Sequence, residues 1–360
     1  MSSNPTSDNL YAYKPSTILP IIFAVLVGWS VAVHFIQNFY FRFWRITFFL
    51  FWGGLCFTVG WVLRAIAAHN PGNSELYIAQ TVFIYAAPPI YAAAEYNILG
   101  RLMYYLPMHA PLNPAMVKYF FIYIGALVEA LTAAGAARMA TNDVGSDQYK
   151  NGGILLAIST TLQGAVELGF VSFVVLMHQR AKRAGMLSRN VKIVCLTLYG
   201  CSALILFRSV FRAVEAFTQY ASTCEDFYCG SIVKKEWYLY ALEAAPMVLY
   251  TVWFNVLHPG RYLPKETKRY LDVDGKTERL GPAWVDERPW YAIAADPFNW
   301  LQDDRSGSQR TRFWEKPGEW PRCDDGSFAL GTAYNRRPRR REGSSMPRRD
   351  DTVRLDKSSV

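Results

Sequence analysis

The sequence predicts an all-α polytopic membrane protein with seven transmembrane helices, its N-terminus outside and its C-terminus cytosolic. Three observations carry this. Apolar runs of span length recur seven times, charge crowds into the last part of the chain, and basic residues favour one set of loops. The chain has 360 residues, 51% hydrophobic and 15% aromatic, with a formal net charge of +9. Those averages hide a division. Up to Leu257 there are 17 Lys and Arg and 12 Asp and Glu, whereas the shorter stretch from His258 onward holds 21 and 17. Three regions follow: an extracellular tail at 1–16, a helical domain at 17–257, and a charged cytosolic tail at 258–360. That last tail, rich in Arg, Asp, Pro and Gly, has no sustained apolar period and is expected to stay disordered.

A helix needs roughly 20 mostly apolar residues to cross about 30 Å of hydrocarbon, and a helix satisfies its own backbone there. The first span, 17–35, carries no Asp, Glu, Lys or Arg and is too long for the apolar part of a cleaved signal peptide. The second, 46–68, has Arg64 near its end. The third, 76–99, contains Glu95 and the pair Pro88-Pro89, which removes helical hydrogen bonds and should kink it. The fourth, 119–139, has Glu129 at its centre. The fifth, 152–177, places Gln163 and Glu167 four apart, on one helix face. The sixth, 191–212, ends with Arg208 and Arg212, also four apart, with Glu215 one position off their stripe. The seventh, 237–257, follows Glu236 and holds Glu243 about two turns in. Pro246 should kink it. Trp44, Tyr77, Tyr104, Tyr105, Tyr149, Trp237 and Tyr238 lie near span ends, as interface anchors do.

Seven spans put the termini on opposite sides. Loops one, three and five hold nine Lys and Arg, five of them between Arg180 and Lys192. The N-terminal tail and the even-numbered loops hold five. The positive-inside rule then places the tail in the cytosol. Loop six, outside, contains Cys224 and Cys229. An oxidising compartment favours a loop-local disulfide between them, and the alternative is two free thiols. Cys56, Cys195 and Cys201 fall in apolar runs as small packing residues. In the tail, Trp284, Trp290, Trp300, Trp314 and Trp320 could dip into the headgroup layer. The basic run Arg336–Arg341 could meet anionic phospholipid.

An ionisable residue inside a span costs about 2.5–3.5 kcal/mol on insertion scales, which makes each a site candidate. The opposed stripes on consecutive helices, Arg208 and Arg212 against Glu236 and Glu243, predict an ion-pair network in the outer half of the bundle. Such a network can bind cargo or merely fix packing. Arg64 and Arg212 lie near enough to the ends to snorkel. Glu129 and Glu167 are expected to face a polar cavity rather than lipid. The five His are dispersed, no zinc-ligand spacing occurs, and neither G-x-x-x-x-G-K-[ST] nor G-x-S-x-G is present. No enzyme, cofactor, metal site or nucleic-acid partner is expected.

Several segments resemble the fungal lipid-translocating exporter family, seven-helix proteins linked to aminocholesterol resistance and export of sphingoid long-chain bases. Gly60-Trp61-Val62-Leu63-Arg64 is similar to the family's Gly-Tyr-x-x-Arg. Ala87-Pro88, Ala93, Tyr96 and Gly100-Arg101 follow its third-span pattern, and Gln163 matches a family glutamine. Arg208-Ser209-Val210-Phe211-Arg212-Ala213-Val214-Glu215 resembles its Arg-Ser-x-x-Arg-x-x-Glu. Glu236-x-x-x-Tyr240 and His258-Pro259-Gly260 match as well. The resemblance covers roughly residues 13–260. Phe57, Gly125, Thr132 and Glu243 depart from the family pattern, which has Glu, Asp, Gln and Asp there. The resemblance implies a plasma-membrane lipid exporter whose partners are membrane lipids and sphingoid bases, with a role in resistance to toxic lipids. In that reading the arginines hold a phosphate and the glutamates an amine. The alternative is a seven-helix receptor or sensor that signals through the tail.

This topology has a direct consequence. A tag placed after Val360 should be reached by antibody only after cells are permeabilised. Surface labelling of that tag in intact cells would overturn the odd span count.

Overall fold

The computed structural model describes residues 11, 13–142, 146–220, 232, 234–282, 284, 289, 291–292, 296 and 313–323. Cys224 and Cys229, Trp290 and Trp300, and the basic run at 336–341 lie outside the described residues. Seven helices form the body: α1 Leu19–Phe41, α2 Trp44–Ala67, α3 Ser74–Tyr105, α4 Pro114–Thr141, α5 Asp147–Arg183, α6 Arg189–Tyr220, and α7, the rod at 237–256. The first six carry stretches long and apolar enough to cross a membrane. The seventh is assembled from Trp237–Leu239, a π-helical segment Tyr240–Ala244, and Ala245–Val256.

The helices outrun the apolar windows because polar residues cap them beyond the hydrocarbon. Asn73 accepts a hydrogen bond from the Leu76 N–H at the start of α3, and Ser146 accepts from the Tyr149 N–H at the start of α5. α5, with 37 residues, is about 55 Å long, well beyond the apolar layer. Between α1 and α2 the chain reverses at Arg42, a non-glycine residue at φ 52°. α3 continues as helix through Pro88-Pro89. At Pro246 the expected disruption takes a particular form. Proline has no N–H to offer the carbonyl of Leu242, and the helix widens into a π turn just before it. That turn contains Glu243.

Each helix packs on its neighbours in chain order, and α7 packs on both α6 and α1, which closes the ring. The outside is apolar: Trp29, Tyr123, Leu168, Val210 and Leu249 are all exposed. Such a surface suits lipid, not water. The inside holds a core of Phe57, Trp61, Tyr91, Leu99, Leu198, Ile205, Met247, Tyr250 and Phe254. Lipid tails give no hydrophobic drive for helices to associate, so close approach at small residues matters more. α4 and α5 meet at Gly135 and Gly152. A Cβ on Gly135 would sit 2.8 Å from the Gly152 carbonyl oxygen, and one on Gly152 would sit 2.9 Å from that of Gly135.

The charged tail differs from the expectation of disorder. Its first part folds against the end of the bundle where α3 finishes. Strands β1, Arg269–Leu271, and β2, Glu278–Leu280, pair antiparallel with Tyr270 opposite Arg279. Gly275, at φ 67°, lies in the turn. Glu278 forms a buried ion pair with Arg269 and accepts a 2.6 Å hydrogen bond from the Tyr105 hydroxyl. Arg101 donates to the Pro264 carbonyl. Tyr270, Phe313 and Trp314 form a small core, with Trp284 stacked on Trp314 and Trp320 packed beside them. These three tryptophans therefore bury against tail residues rather than dip into headgroups. His258, just past α7, accepts from the Gly260 N–H through Nδ1. Its burial, with His34 and Arg261 beside it, pushes the imidazole down to about 2, which keeps that nitrogen an acceptor at neutral pH.

The glycine seam gives a test of the packing. Gly152→Val should cost about 1–3 kcal/mol by forcing α4 off α5. Gly125→Ala and Gly169→Ala, where an added Cβ meets nothing within 4 Å, should be neutral. Thermal unfolding of the purified variants distinguishes these outcomes, and equal losses at all three positions would contradict the seam.

Candidate polar column inside the bundle

The intramembrane charges gather in three groups along the inner face of the ring. The first lies where α7 begins. Arg64 of α2 donates to Glu236 at 2.9 Å and to the Tyr13 hydroxyl at 2.8 Å. Tyr240 donates to the same Glu236 oxygen at 2.8 Å, and the Ser16 N–H donates to the other at 2.8 Å. Gln80 donates to the Tyr11 hydroxyl, and the Arg64 guanidinium lies 5.4 Å from the Tyr11 ring centre. The segment before α1 is thus tied across this end of the bundle. Arg64 is 5% exposed, so it does not snorkel. Glu236, expected to face the arginines of α6, serves Arg64 instead.

The second group is organised by the π turn. Glu243 has no exposed surface and takes Arg208 Nε on one oxygen and Arg212 Nε on the other, each at 2.7 Å. Arg212 also donates to Glu215 and to the Tyr85 hydroxyl, whose ring lies 4.2 Å from the guanidinium. The four charges balance. Arg212, 3% exposed, is a buried partner in this network rather than a snorkelling cation. The widened turn brings one carboxylate between two arginines a helical turn apart. A burial this complete is tolerable only because every charge is matched, and removing one partner from such a pair typically costs about 3–5 kcal/mol.

The third group lacks such matching. Arg208 Nη2, Ser209 Oγ, Gln163 Nε2 and Glu129 Oε2 are buried and have no hydrogen-bond partner among the described residues. They come from α6, α5 and α4. The helices bring them near one another: a Cβ added at Gly164, next to Gln163, would sit 3.8 Å from the Ser209 Cβ, and Glu129 interacts electrostatically with Arg208. Thr132 donates to Ser159 at 3.0 Å, joining α4 to α5 nearby. Further along α5 and α6, Glu95 and Glu167 flank Ser202, whose hydroxyl donates to Glu95 at 2.8 Å. Tyr96 stacks on Phe121 and packs edge-on to Phe170 close to Glu167. Among the described residues no group of three or more His, Cys, Asp or Glu could hold a metal ion.

Of the residues singled out in the sequence, Arg208, Arg212, Glu215 and Glu243 share one network, and Arg64, Glu236 and Tyr240 share another. Glu129, Gln163, Glu167, Glu95 and Tyr96 line the interior beyond Arg208. Tyr13, Tyr85, Ser202 and Tyr250 were not foreseen, and Ser209 stood only within the family motif. Ser202 and Ser209 had a signal, since they are seven apart and thus on one face of α6. The hydroxyls of Tyr13 and Tyr85 had none, because tyrosine is common at span ends. A separate apolar groove of about 440 Å³ lies between α1 and α2, lined by Ile21, Val25, Val62 and Ile66 among others.

A ring of apolar-coated helices around a buried charged interior defines a multi-helix integral membrane protein. The profile described as "RTA1 like protein" matches residues 50–266, and the chain belongs to that family. It is similar to the lipid-translocating exporter-like protein RTA1 of Leptosphaeria maculans, at 34% identity over 88% of this chain. The chain spans 64% of that relative's length. It is 30% identical to the protein of the same name from Ajellomyces capsulatus, over 69% of this chain and 79% of the relative. A probable lipid transporter, atnI, of Emericella nidulans is 24% identical over 74% of this chain and 72% of its own. No solved structure matches the chain.

The network predicts a graded series. Glu243→Ala should lower stability by about 3–5 kcal/mol, and Arg212→Ala by a comparable amount because it has three partners. Arg208→Lys should retain part of the stability, since Lys keeps the charge but lacks the planar fork. Thermal unfolding of purified variants in detergent measures this. A Glu243→Ala protein as stable as wild type would remove the network from the account.

Proposed function

We propose that this chain moves amphipathic lipids across a membrane, the headgroup passing along the polar interior while the tails stay in hydrocarbon. The observation that carries this is the set of four unpartnered buried polar atoms on α4, α5 and α6. A buried polar group without a partner costs about 1–3 kcal/mol, so four in one place call for a ligand or ordered water. Their chemistry is complementary to a lipid headgroup. Arg208 Nη2 and Gln163 Nε2 donate to a phosphate, hydroxyl or carbonyl oxygen. Glu129 Oε2 accepts from an amine, and Ser209 serves either. A sphingoid base, with an amine beside hydroxyls, uses both kinds of group. The relatives named as lipid-translocating or lipid-transporting proteins support the same class of cargo.

The orientation that goes with this reading has α7 as the seventh span, the N-terminus outside and the hairpin-bearing tail in the cytosol. The plasma membrane is the fitting location for export and for resistance to toxic lipids.

The unpartnered atoms allow a clean test. Gln163→Leu and Ser209→Ala remove groups that hold nothing in the free protein, so both variants should fold as well as wild type. Each should slow movement of a fluorescent sphingoid base across proteoliposome membranes about tenfold per folded molecule. Wild-type rates in both variants would sink the headgroup reading.

A further inference from the structure

Glu95 and Glu167 are 0% and 1% exposed, and among the described residues neither forms an ion pair with a cation. One oxygen of each, Oε1, has no hydrogen-bond partner. The two carboxyl groups, from α3 and α5, interact electrostatically with each other across the Ser202 hydroxyl of α6. Ser202 has one hydroxyl proton and donates it to Glu95 Oε2 at 2.8 Å. The same hydroxyl lies within hydrogen-bond reach of Glu167. Tyr250 of α7 has one hydroxyl proton and gives it to the Tyr91 carbonyl at 2.9 Å, yet it too lies within reach of Glu95. Two hydroxyl protons are thus spent, and two further oxygen–oxygen contacts remain with no proton between them. An ionised carboxylate only accepts; a protonated one also donates. One proton on Glu167 would turn its contact with Ser202 into a hydrogen bond. The same proton placed on Glu95 instead would do this for its contact with Tyr250.

Among the described residues the surroundings offer no opposite charge to settle the pair. The ionisable groups facing it are Tyr96 on α3, Cys201 on α6 and Tyr250 on α7. Glu129 on α4 acts on Arg208 and on Cys56 of α2 instead. Among the described residues, no Lys, Arg or His enters the group. Two unpaired buried carboxylates side by side are far more costly than a pair that holds a proton.

We propose that Glu95 and Glu167 share one exchangeable proton, which binds from one aqueous side and leaves to the other, so that lipid movement is coupled to a proton gradient. The step is proton binding to a carboxylate and its reversal; no electrons move. The coupling rests on the lipid-transport reading above, and the geometry gives it a route. Gln163 and Glu167 are one turn apart on the same face of α5. A cationic headgroup arriving beside Gln163 and Glu129 therefore lies next to the pair and favours loss of its proton. A departing headgroup favours its return. No ATP-binding loop is needed for movement of this kind.

The test has two arms. In the first, infrared difference spectra of the purified protein are recorded on stepping from about pH 5 to about pH 9. Wild type should show the carbonyl stretch of a buried carboxylic acid at neutral pH. Glu95→Gln and Glu167→Gln should each remove or shift it, and Ser202→Ala should shift it. A neutral-pH spectrum without such a band overturns the proton site, whatever the protein transports. In the second arm, proteoliposomes carry fluorescent sphingoid base and an encapsulated pH dye. An imposed proton gradient should speed wild-type lipid movement at least about fivefold, with proton flux. Glu167→Gln should lose the acceleration by the gradient, and Glu95→Gln stands in where that variant does not fold. A gradient response equal to wild type in the variants overturns the coupling. Wild-type protein that moves no lipid sinks the transport reading and the coupling together, and the infrared band then still decides the proton site.

Discussion

The charges of α6 are arranged around Glu243, one carboxylate held between two arginines where water does not reach. Its neighbours on α6, Arg208 and Arg212, are each too costly to leave unpaired in hydrocarbon. Glu243 meets both from the widened turn that precedes Pro246. A backbone defect on α7 therefore serves the electrostatics of α6. Glu215 and Tyr85 complete the set, so that α3, α6 and α7 are fixed by one neutral network. Hydrophobic burial cannot do this in lipid, because lipid tails are as apolar as leucine.

Against that satisfied network, the unsatisfied atoms on α4, α5 and α6 stand out. Arg208 belongs to both. Its Nε is committed to Glu243 and its Nη2 is not committed at all. The same guanidinium thus fixes the fold and offers a donor toward Glu129 and Gln163. This division reconciles two readings of an intramembrane charge, packing and function. Packing uses the atoms that are paired, and cargo recognition uses those that are not. The acidic pair Glu95 and Glu167 extends the interior one turn further along α5, where the missing partner is a proton rather than a headgroup.

The helical frame was legible because hydropathy at span length has few alternative explanations. The helix ends were not, since caps such as Asn73 and Ser146 lie outside the apolar windows. The pairing of Arg208 and Arg212 with Glu243 could be read from i, i+4 spacing on adjacent helices. The partner of Glu236 could not, because Arg64 lies on α2 and ring closure through α7 decides which helices meet. Snorkelling for Arg64 and Arg212 was a reading of position along the helix; burial depends on position around it. The hairpin at 269–280 escaped notice for a different reason. Its three-residue strands have no period to detect, and a buried Arg269–Glu278 pair looks like solvated charge in a charged tail. Residues such as Tyr13 and Tyr85 act through one hydroxyl whose direction only the fold sets.

The central claim is that a lipid headgroup enters the bundle and meets the unpartnered atoms. The most direct measurement is photo-crosslinking with a lipid whose photoreactive group sits at the headgroup end, followed by peptide mapping of the adducts. The account predicts adducts on the inward faces of α4, α5 and α6, around Glu129, Gln163 and Ser209. Adducts confined to outward residues such as Leu168 and Val210 would show that the headgroup never leaves the lipid side, and would contradict it.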